Sequence, residues 1–123
     1  MKNPKNAGIG IRTTVMGADF VNKAMGEATD FSLPLQEFVN EHAWGSVWAR
    51  EGLTLQTRSL ITLAILTTLK APHELKGHIR DALNKGCTVE EIREVLLHCA
   101  VYAGVPASAE AFRAAQSVLK DLG

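Results

Sequence analysis

Two histidine-containing pairs carry the side chains best suited to proton transfer. Glu74 and His78 are four residues apart, as are Glu94 and His98, and Tyr102 follows at the same interval. On a helix this spacing places side chains on one face. A carboxylate bonded to an imidazole fixes its tautomer and raises its basicity, which prepares a general acid or base. The alternatives are a solvated helix pair for Glu74–His78 and a buried structural histidine for His98.

Cationic and aromatic residues supply the other candidates. Arg58 stands just before an apolar segment, where its guanidinium could cap a helix, pair with an acid or bind a substrate carboxylate. Arg12 and Arg50 are weaker candidates for the same role. Trp44 and Trp48 are four residues apart, which indicates either packing or an aromatic wall that excludes water from a pocket.

Common metal and cofactor motifs are absent from the sequence. It contains no GxGxxG, no phosphate-binding loop and no HExxH. The histidines show no zinc spacing, and Cys87 and Cys99 form no CxxC pair. We therefore predict neither a metal nor a cofactor. The apolar flanks of Cys99 indicate a buried, inert thiol.

Composition favours a cytoplasmic protein. The 13 Lys and Arg residues balance 13 Asp and Glu residues, which argues against non-specific nucleic-acid binding. Two cysteines are fewer than a secreted disulfide scaffold of this size usually has. The first residues lack the apolar stretch of a signal peptide, and the apolar run Leu60–Leu69 is too short to span a bilayer. We expect neither a nucleic-acid nor a membrane partner.

Helices must position these residues, because apolar residues recur at helical spacing and no convincing strand pattern appears. We predict an all-α fold with residues 1–7 as a flexible lead-in and residues 8–123 as one compact domain of five to six helices. The predicted helices are Ile9–Ala28 with a break near Gly17, a second after Ser32, a third from Thr54, a fourth from Pro72 to Asn84, a fifth from Thr88 to Ala103, and a sixth from Pro106 to Leu119.

Two of these helices carry more apolar surface than a small monomer is expected to bury. The third is apolar on every side, so we predict that it lies at the centre of the fold. The fifth begins with a capping box of Thr88 and Glu91 and becomes nearly all apolar over Leu96–Ala103. That end indicates either the core or a subunit interface, and together the two helices predict a homo-oligomer.

Four stretches of the chain resemble the carboxymuconolactone decarboxylase family. They are Ala43–Leu53 (AWGSVWAREGL), Thr57–Ala64 (TRSLITLA), Glu74–Arg80 (ELKGHIR) and the C-terminal segment from Gly86 to Ala107. The resemblance implies the all-α fold of alkylhydroperoxidase D-like proteins and a hexamer built as a trimer of dimers. The peroxidase branch has a CxxC followed four residues later by its histidine. Counting back from His78, those positions hold Ala71 and Glu74, so dithiol chemistry is not available there.

The activity implied by the resemblance is cofactor-independent decarboxylation in aromatic-compound degradation. The substrate would be 4-carboxymuconolactone, or a closely related acidic lactone, and the product 3-oxoadipate enol-lactone. Loss of CO2 leaves an electron pair that delocalises through the ring double bond to the lactone carbonyl, so the substrate is its own electron sink. The protein must hold the remaining carboxylate, stabilise the oxyanion and protonate the ring carbon beside the carbonyl.

For that reaction we expect His78 to donate the proton, with Glu74 orienting it. Arg58 is the expected carboxylate ligand, and His98 and Tyr102 would polarise the lactone oxygen. The remaining predicted substrate-binding residues are Trp44, Trp48 and Arg50. Two other classes stay open: a different enzyme on the same scaffold, such as a thiol peroxidase, and a non-catalytic helical oligomer.

Overall fold

The computed structural model describes residues 4–123, and within them the regular secondary structure is entirely helical. Seven α-helices and one π-helical segment follow in chain order: α1 (Pro4–Met16), α2 (Ala18–Gly26), α3 (Leu33–Phe38), the π segment (Val39–Trp48), α4 (Leu55–Thr68), α5 (Pro72–Asn84), α6 (Val89–Tyr102) and α7 (Val105–Leu122). The predicted all-α fold class is confirmed.

Contacts divide the chain into a first unit that ends at Thr54 and a second unit, Leu55–Gly123. Helix α1 begins at Pro4, inside the predicted lead-in, and Met1–Asn3 of that lead-in lie outside the described residues. The prediction of a single domain over residues 8–123 stays a prediction.

The first unit is built on the packing of α1 against the π segment. Gly8 permits this approach, because a β-carbon at this position would overlap the carbonyl oxygen of Asn40. The predicted break between the first two helices is confirmed at Gly17, whose positive φ of 94° is unfavourable for other residues. Pro34 lies in the first turn of α3, where its missing N–H does no harm.

The second unit packs α4, α5, α6 and α7 around one hydrophobic core. Its most deeply buried side chains are Leu63, Leu75, Ile79, Ala82, Leu96 and Val118. The predicted capping box at the start of α6 is confirmed: the Thr88 hydroxyl accepts from the Glu91 amide at 3.0 Å, and the Glu91 carboxylate accepts from the Thr88 amide at 2.9 Å. These paired bonds satisfy two amides that the helix itself leaves unpaired.

The prediction that the third helix is buried on every side is wrong. Helix α4 buries only the face that carries Ser59, Leu63 and Thr67. On its other side Ile61 is 43% exposed and Ile65 is 53% exposed. When four helices pack around one core, each helix buries only the face that points to the core. Apolar residues on the outer face of α4 therefore stay exposed. No helix among the described residues is both long and apolar enough to cross a membrane.

Candidate functional site

Glu74 and His78 project from α5 beside the row of core residues that anchors this helix. Leu75 and Ile79 fix the helix in the core, which leaves His78 half-buried and Glu74 exposed. Burial lowers the pKa of His78 below its ordinary value, and the negative charge of Glu74 partly opposes this effect. Within residues 4–123 the two side chains are coupled through charge rather than by a hydrogen bond. The imidazole is therefore mainly neutral near pH 7.

His98 is exposed, so the alternative that it is a buried structural histidine is wrong. The core-facing side of α6 consists of Ile92, Leu96 and Cys99, while His98 turns away from it. Its expected alignment with Tyr102 is confirmed, since the two ring centroids are 5.1 Å apart. An apolar stretch of sequence thus includes both buried and exposed faces of the same helix, and His98 falls on the exposed one.

Two open apolar grooves lie between α4 and α6. The first has a volume of about 420 Å³ and is lined by Ala64, Thr68, His98, Cys99, Tyr102 and Ala103. The second, of about 370 Å³, is lined by Leu60, Ile61, Ala64, Glu94, Val95 and His98. His98 and Ala64 border both grooves, whereas Glu74 and His78 border neither. We call the surface formed by these lining residues the α4–α6 face.

The predicted arginine ligands occupy helix starts and ends. Arg58 is half-buried in the first turn of α4, and its carbonyl oxygen accepts a hydrogen bond from the Thr62 hydroxyl at 2.8 Å. Arg50 is exposed just after the π segment. Both arginines interact with other groups of the chain. A planar guanidinium in either position has the geometry to bind a carboxylate through two parallel hydrogen bonds.

Trp44 and Trp48 form a ring pair on the π segment. Their ring centroids are 4.7 Å apart and their planes are inclined by 32°. Trp44 is buried and Trp48 is half-buried, so the pair contributes to packing within the first unit. The structure thus brings together three of the predicted pairs, namely Trp44–Trp48, Glu74–His78 and His98–Tyr102.

Comparison with known proteins identifies the family. The sequence profile of the carboxymuconolactone decarboxylase family matches residues 34–117. The chain belongs to this family. A 4-carboxymuconolactone decarboxylase from Acinetobacter baylyi is 45% identical over 116 residues, which cover 94% of this chain and 87% of that protein. A nitrosuccinic acid decarboxylase from Metarhizium robertsii is 45% identical over 115 residues, covering 94% and 80%.

A third relative in this comparison, an uncharacterized 15.0 kDa protein from Paracoccus denitrificans, is 38% identical over 77 residues, covering 61% of this chain and 58% of that protein. Both relatives with an assigned activity are decarboxylases, so the comparisons support a decarboxylase of the carboxymuconolactone decarboxylase family. The family match includes the predicted site residues Trp44, Trp48, Arg50, Arg58, Glu74, His78, His98 and Tyr102, whereas the weaker candidate Arg12 lies outside it.

The cysteines of this family member are both buried and form no disulfide with each other. The Cys99 thiol donates to the Ala64 carbonyl oxygen at 3.8 Å, and burial raises its pKa. Burial and the charge of Glu91 raise the pKa of Cys87. The predicted burial of Cys99 is confirmed. A raised pKa lowers the thiolate fraction, which is the reactive form.

Asp81 and Ser59 are two of the buried polar residues that the sequence did not predict. Asp81 is 5% exposed, and burial raises its pKa to about 6, although the charges of Lys85 and Arg80 act in the opposite direction. The Ser59 hydroxyl and one Asp81 carboxylate oxygen have no hydrogen-bond partner among the described residues. Ser59 was detectable, since it lies four residues before the core residue Leu63. Nothing in the local pattern distinguishes Asp81 from a solvated acid.

The described part of the chain offers no cluster of side chains suited to bind a metal ion. Within residues 4–123, no cluster of three or more His, Cys, Asp or Glu side chains has the arrangement to hold a metal ion. The candidate residues themselves can transfer protons through imidazole and carboxylate groups and bind anions through guanidinium groups.

Proposed function

We propose that this protein is a cofactor-independent decarboxylase that converts 4-carboxymuconolactone, or a closely related acidic lactone, into 3-oxoadipate enol-lactone and CO2. The observation that carries the proposal is the 45% identity to the Acinetobacter baylyi enzyme across 94% of the chain. The half-buried His78 and its charge-coupled neighbour Glu74 supply the proton-transfer group that this reaction needs.

In the proposed reaction the bond between the ring carbon and its carboxylate breaks, and CO2 leaves. The electron pair passes through the ring double bond to the lactone carbonyl, which becomes an enolate oxygen. His78 then donates a proton to the ring carbon beside this carbonyl, while Glu74 favours the protonated imidazole. Arg58 binds the carboxylate that stays, and His98 with Tyr102 donates hydrogen bonds to the lactone oxygen.

Nitrosuccinic acid is a second candidate substrate, because the Metarhizium robertsii relative is as similar to this chain as the lactone decarboxylase is. In both compounds the carboxylate that leaves is attached to a carbon that also carries a carboxymethyl group. In both, that carbon is joined to an electron sink, which is an unsaturated lactone in one and a nitro group in the other. The same anion-binding and proton-donating residues would serve either reaction.

Release of CO2 from the two compounds tests the proposal directly. We expect the purified protein to decarboxylate the lactone with a kcat/KM at least about tenfold above that for nitrosuccinate, since discrimination follows differences in transition-state binding. A higher kcat/KM for nitrosuccinate would favour the second candidate. Absence of CO2 release from both compounds would refute decarboxylation as proposed.

The buried cysteines lead to a prediction that separates this activity from thiol peroxidase chemistry. We expect Cys99→Ala to keep most of the decarboxylase activity, because the thiol is packed against Ala64 and burial raises its pKa. Cys87→Ala is the matched control. Peroxide turnover by the wild type should be slow. It is measured as the rate at which an added thiol is consumed. Rapid turnover that disappears in Cys99→Ala would favour the peroxidase alternative.

We also propose a homo-oligomer, most simply the hexamer that the family resemblance implies. In the described chain Ile65 on α4 and Val101 on α6 are 53% and 75% exposed, which is unusual for large apolar side chains in a small monomer. Light scattering at micromolar concentration should show a stable assembly. Val101→Glu should reduce its mass, whereas Lys120→Glu, at an exposed polar position, should not. A monomeric wild type would contradict this proposal.

A further inference from the structure

Arg12 places a positive charge inside the first unit, where no carboxylate of the described residues neutralises it. Its side chain, on α1, is 6% exposed. One terminal nitrogen, Nη1, donates to the Gln36 carbonyl oxygen Oε1 at 2.9 Å and to the Asn40 carbonyl oxygen Oδ1 at 3.0 Å. Both acceptors are neutral amides. Burial lowers the pKa of Arg12, and no charged group of the described residues opposes this effect.

The guanidinium of Arg12 also has an N–H group for which the described residues provide no hydrogen-bond acceptor. Its Nε–H is buried and has no hydrogen-bond partner within residues 4–123. Burial of a charge without a counter-ion is strongly unfavourable, and buried arginines are normally paired with carboxylates. The planar guanidinium fork matches a carboxylate, which accepts two parallel hydrogen bonds from it. The group is therefore suited to an anion that residues 4–123 do not provide.

The location of Arg12 gives an anion a route to it. The Phe20 ring lies over the guanidinium, with 5.9 Å between the ring centroid and Cζ. Phe20 is 46% exposed, so part of its ring faces solvent. Gln36 near the end of α3 and Asn40 in the π segment hold the guanidinium in place through hydrogen bonds. Movement of the half-exposed Phe20 ring is the rearrangement by which a small ligand would reach the charged group.

We propose that Arg12, held by Gln36 and Asn40, is a binding subsite for the carboxylate of a small organic anion. The ligand carboxylate accepts from the unused guanidinium N–H groups after the Phe20 ring moves aside. This subsite is additional to Arg58. The identity of the natural ligand rests on the proposed function, because the acidic lactone carries two carboxylates and is an anion of this class. The existence of the subsite does not depend on the proposed function.

Succinate is a suitable probe, and its binding requires no turnover. Both tryptophans of the chain belong to the π segment, and Trp44 is buried four residues after Asn40. Titration with succinate at constant ionic strength should therefore change tryptophan fluorescence saturably and raise Tm, whereas sodium chloride should do neither.

Gln36→Glu is the decisive variant, because it places a carboxylate beside Arg12 with almost no change in shape. We expect it to raise Tm in the absence of succinate and to weaken succinate binding at least about tenfold, since the internal carboxylate occupies the guanidinium. Gln116→Glu adds the same charge at an exposed position of α7 and should keep the wild-type Kd. Arg12→Met should also abolish the succinate response.

Wild-type succinate affinity in Gln36→Glu would overturn the subsite, as would a wild type that responds equally to succinate and sodium chloride. The lactone assay separates this result from the proposed function. If no CO2 is released but Gln36→Glu loses succinate binding, the proposed function fails and the subsite stands. If the lactone is decarboxylated and succinate does not bind to the wild type, the subsite fails alone.

Discussion

Replacement of His78 by alanine is expected to lower kcat for the lactone by roughly 10²–10⁴-fold, the usual contribution of general acid–base catalysis. The proposed step transfers a proton to a carbon atom, for which a positioned acid is far more effective than water. The half-buried imidazole on α5 is the group that we assign to this step. Steady-state kinetics with correctly folded protein, checked by circular dichroism and by assembly mass, measure the effect.

The pH dependence of the wild type follows from the surroundings of His78. Burial lowers its pKa below 6.5, although the Glu74 charge partly opposes this. A proton donor must start protonated, so kcat/KM should fall as pH rises through this lowered pKa of the free enzyme. A bound dianionic substrate favours the imidazolium, so the corresponding fall in kcat should occur at higher pH. A pH profile of kcat/KM that is unchanged in His78→Ala would contradict the assignment.

Two further variants distinguish proton transfer from binding. Glu74→Gln keeps the imidazole but removes the charge that favours its protonated form, so we expect a smaller loss of kcat than in His78→Ala. Arg58→Ala should mainly raise KM if the guanidinium binds the carboxylate equally in the ground state and the transition state. If a correctly assembled His78→Ala protein keeps near wild-type kcat, the assignment of His78 is wrong and His98 becomes the candidate proton donor.

Local sequence signals predicted several helix ends, although α1 begins at Pro4 rather than at the predicted Ile9. The capping box of Thr88 and Glu91, the break at Gly17 and the proline in the first turn of α3 all act within one helical turn. Such signals depend only on neighbours along the chain, so they are readable without tertiary structure. The resemblance of several motifs to one family then supplied the fold that these helices adopt.

Burial was less predictable, because it depends on what packs against a helix. Helix α4 and the end of α6 are apolar on several sides, yet Ile65, Val101 and His98 are exposed in the described chain. Composition could not show which face meets α5 and α7. Ser59, Leu63 and Thr67 lie at four-residue spacing on the buried face. Two of these three residues are polar, so the spacing does not form the apolar pattern that predicts a core face.

Long-range polar contacts left no signal in the sequence. Arg12 bonds to residues 24 and 28 positions further along the chain, and no motif links them. The π-helical geometry of Val39–Trp48 was equally hidden, because Trp44 and Trp48 at four-residue spacing also suit an ordinary α-helix. The pairs within one helix, Glu74–His78 and His98–Tyr102, were predictable, whereas sites assembled from several helices were not.

Asp81 provides a prediction on stability with a sign that is unusual for a carboxylate. Burial raises its pKa to about 6 in the folded chain, above the ordinary value of 3.8, so the folded state binds its proton more tightly than the unfolded state. The free energy of unfolding should therefore decrease as pH rises from about 4 to about 6. This difference in proton affinity corresponds to at most about 3 kcal/mol.

Asp81→Asn removes the ionisation while it keeps the shape of the side chain. Above pH 7 it should raise the free energy of unfolding by up to about 3 kcal/mol, and near pH 4 it should change little because wild-type Asp81 is then neutral in the folded state. Urea unfolding at several pH values, at one fixed protein concentration, measures the difference. The matched control is Asp121→Asn, because Asp121 is exposed and pairs with Arg80 at 3.3 Å.

The control should behave in the opposite way. Loss of an exposed ion pair costs about 0–1 kcal/mol, so Asp121→Asn should be neutral or slightly destabilising at neutral pH. The stabilisation by Asp81→Asn should disappear on acidification, because it comes from removal of a buried charge that the wild type itself loses when it is protonated. A stabilisation that does not depend on pH would show that packing around residue 81, rather than the ionised carboxylate, limits the stability of the second unit.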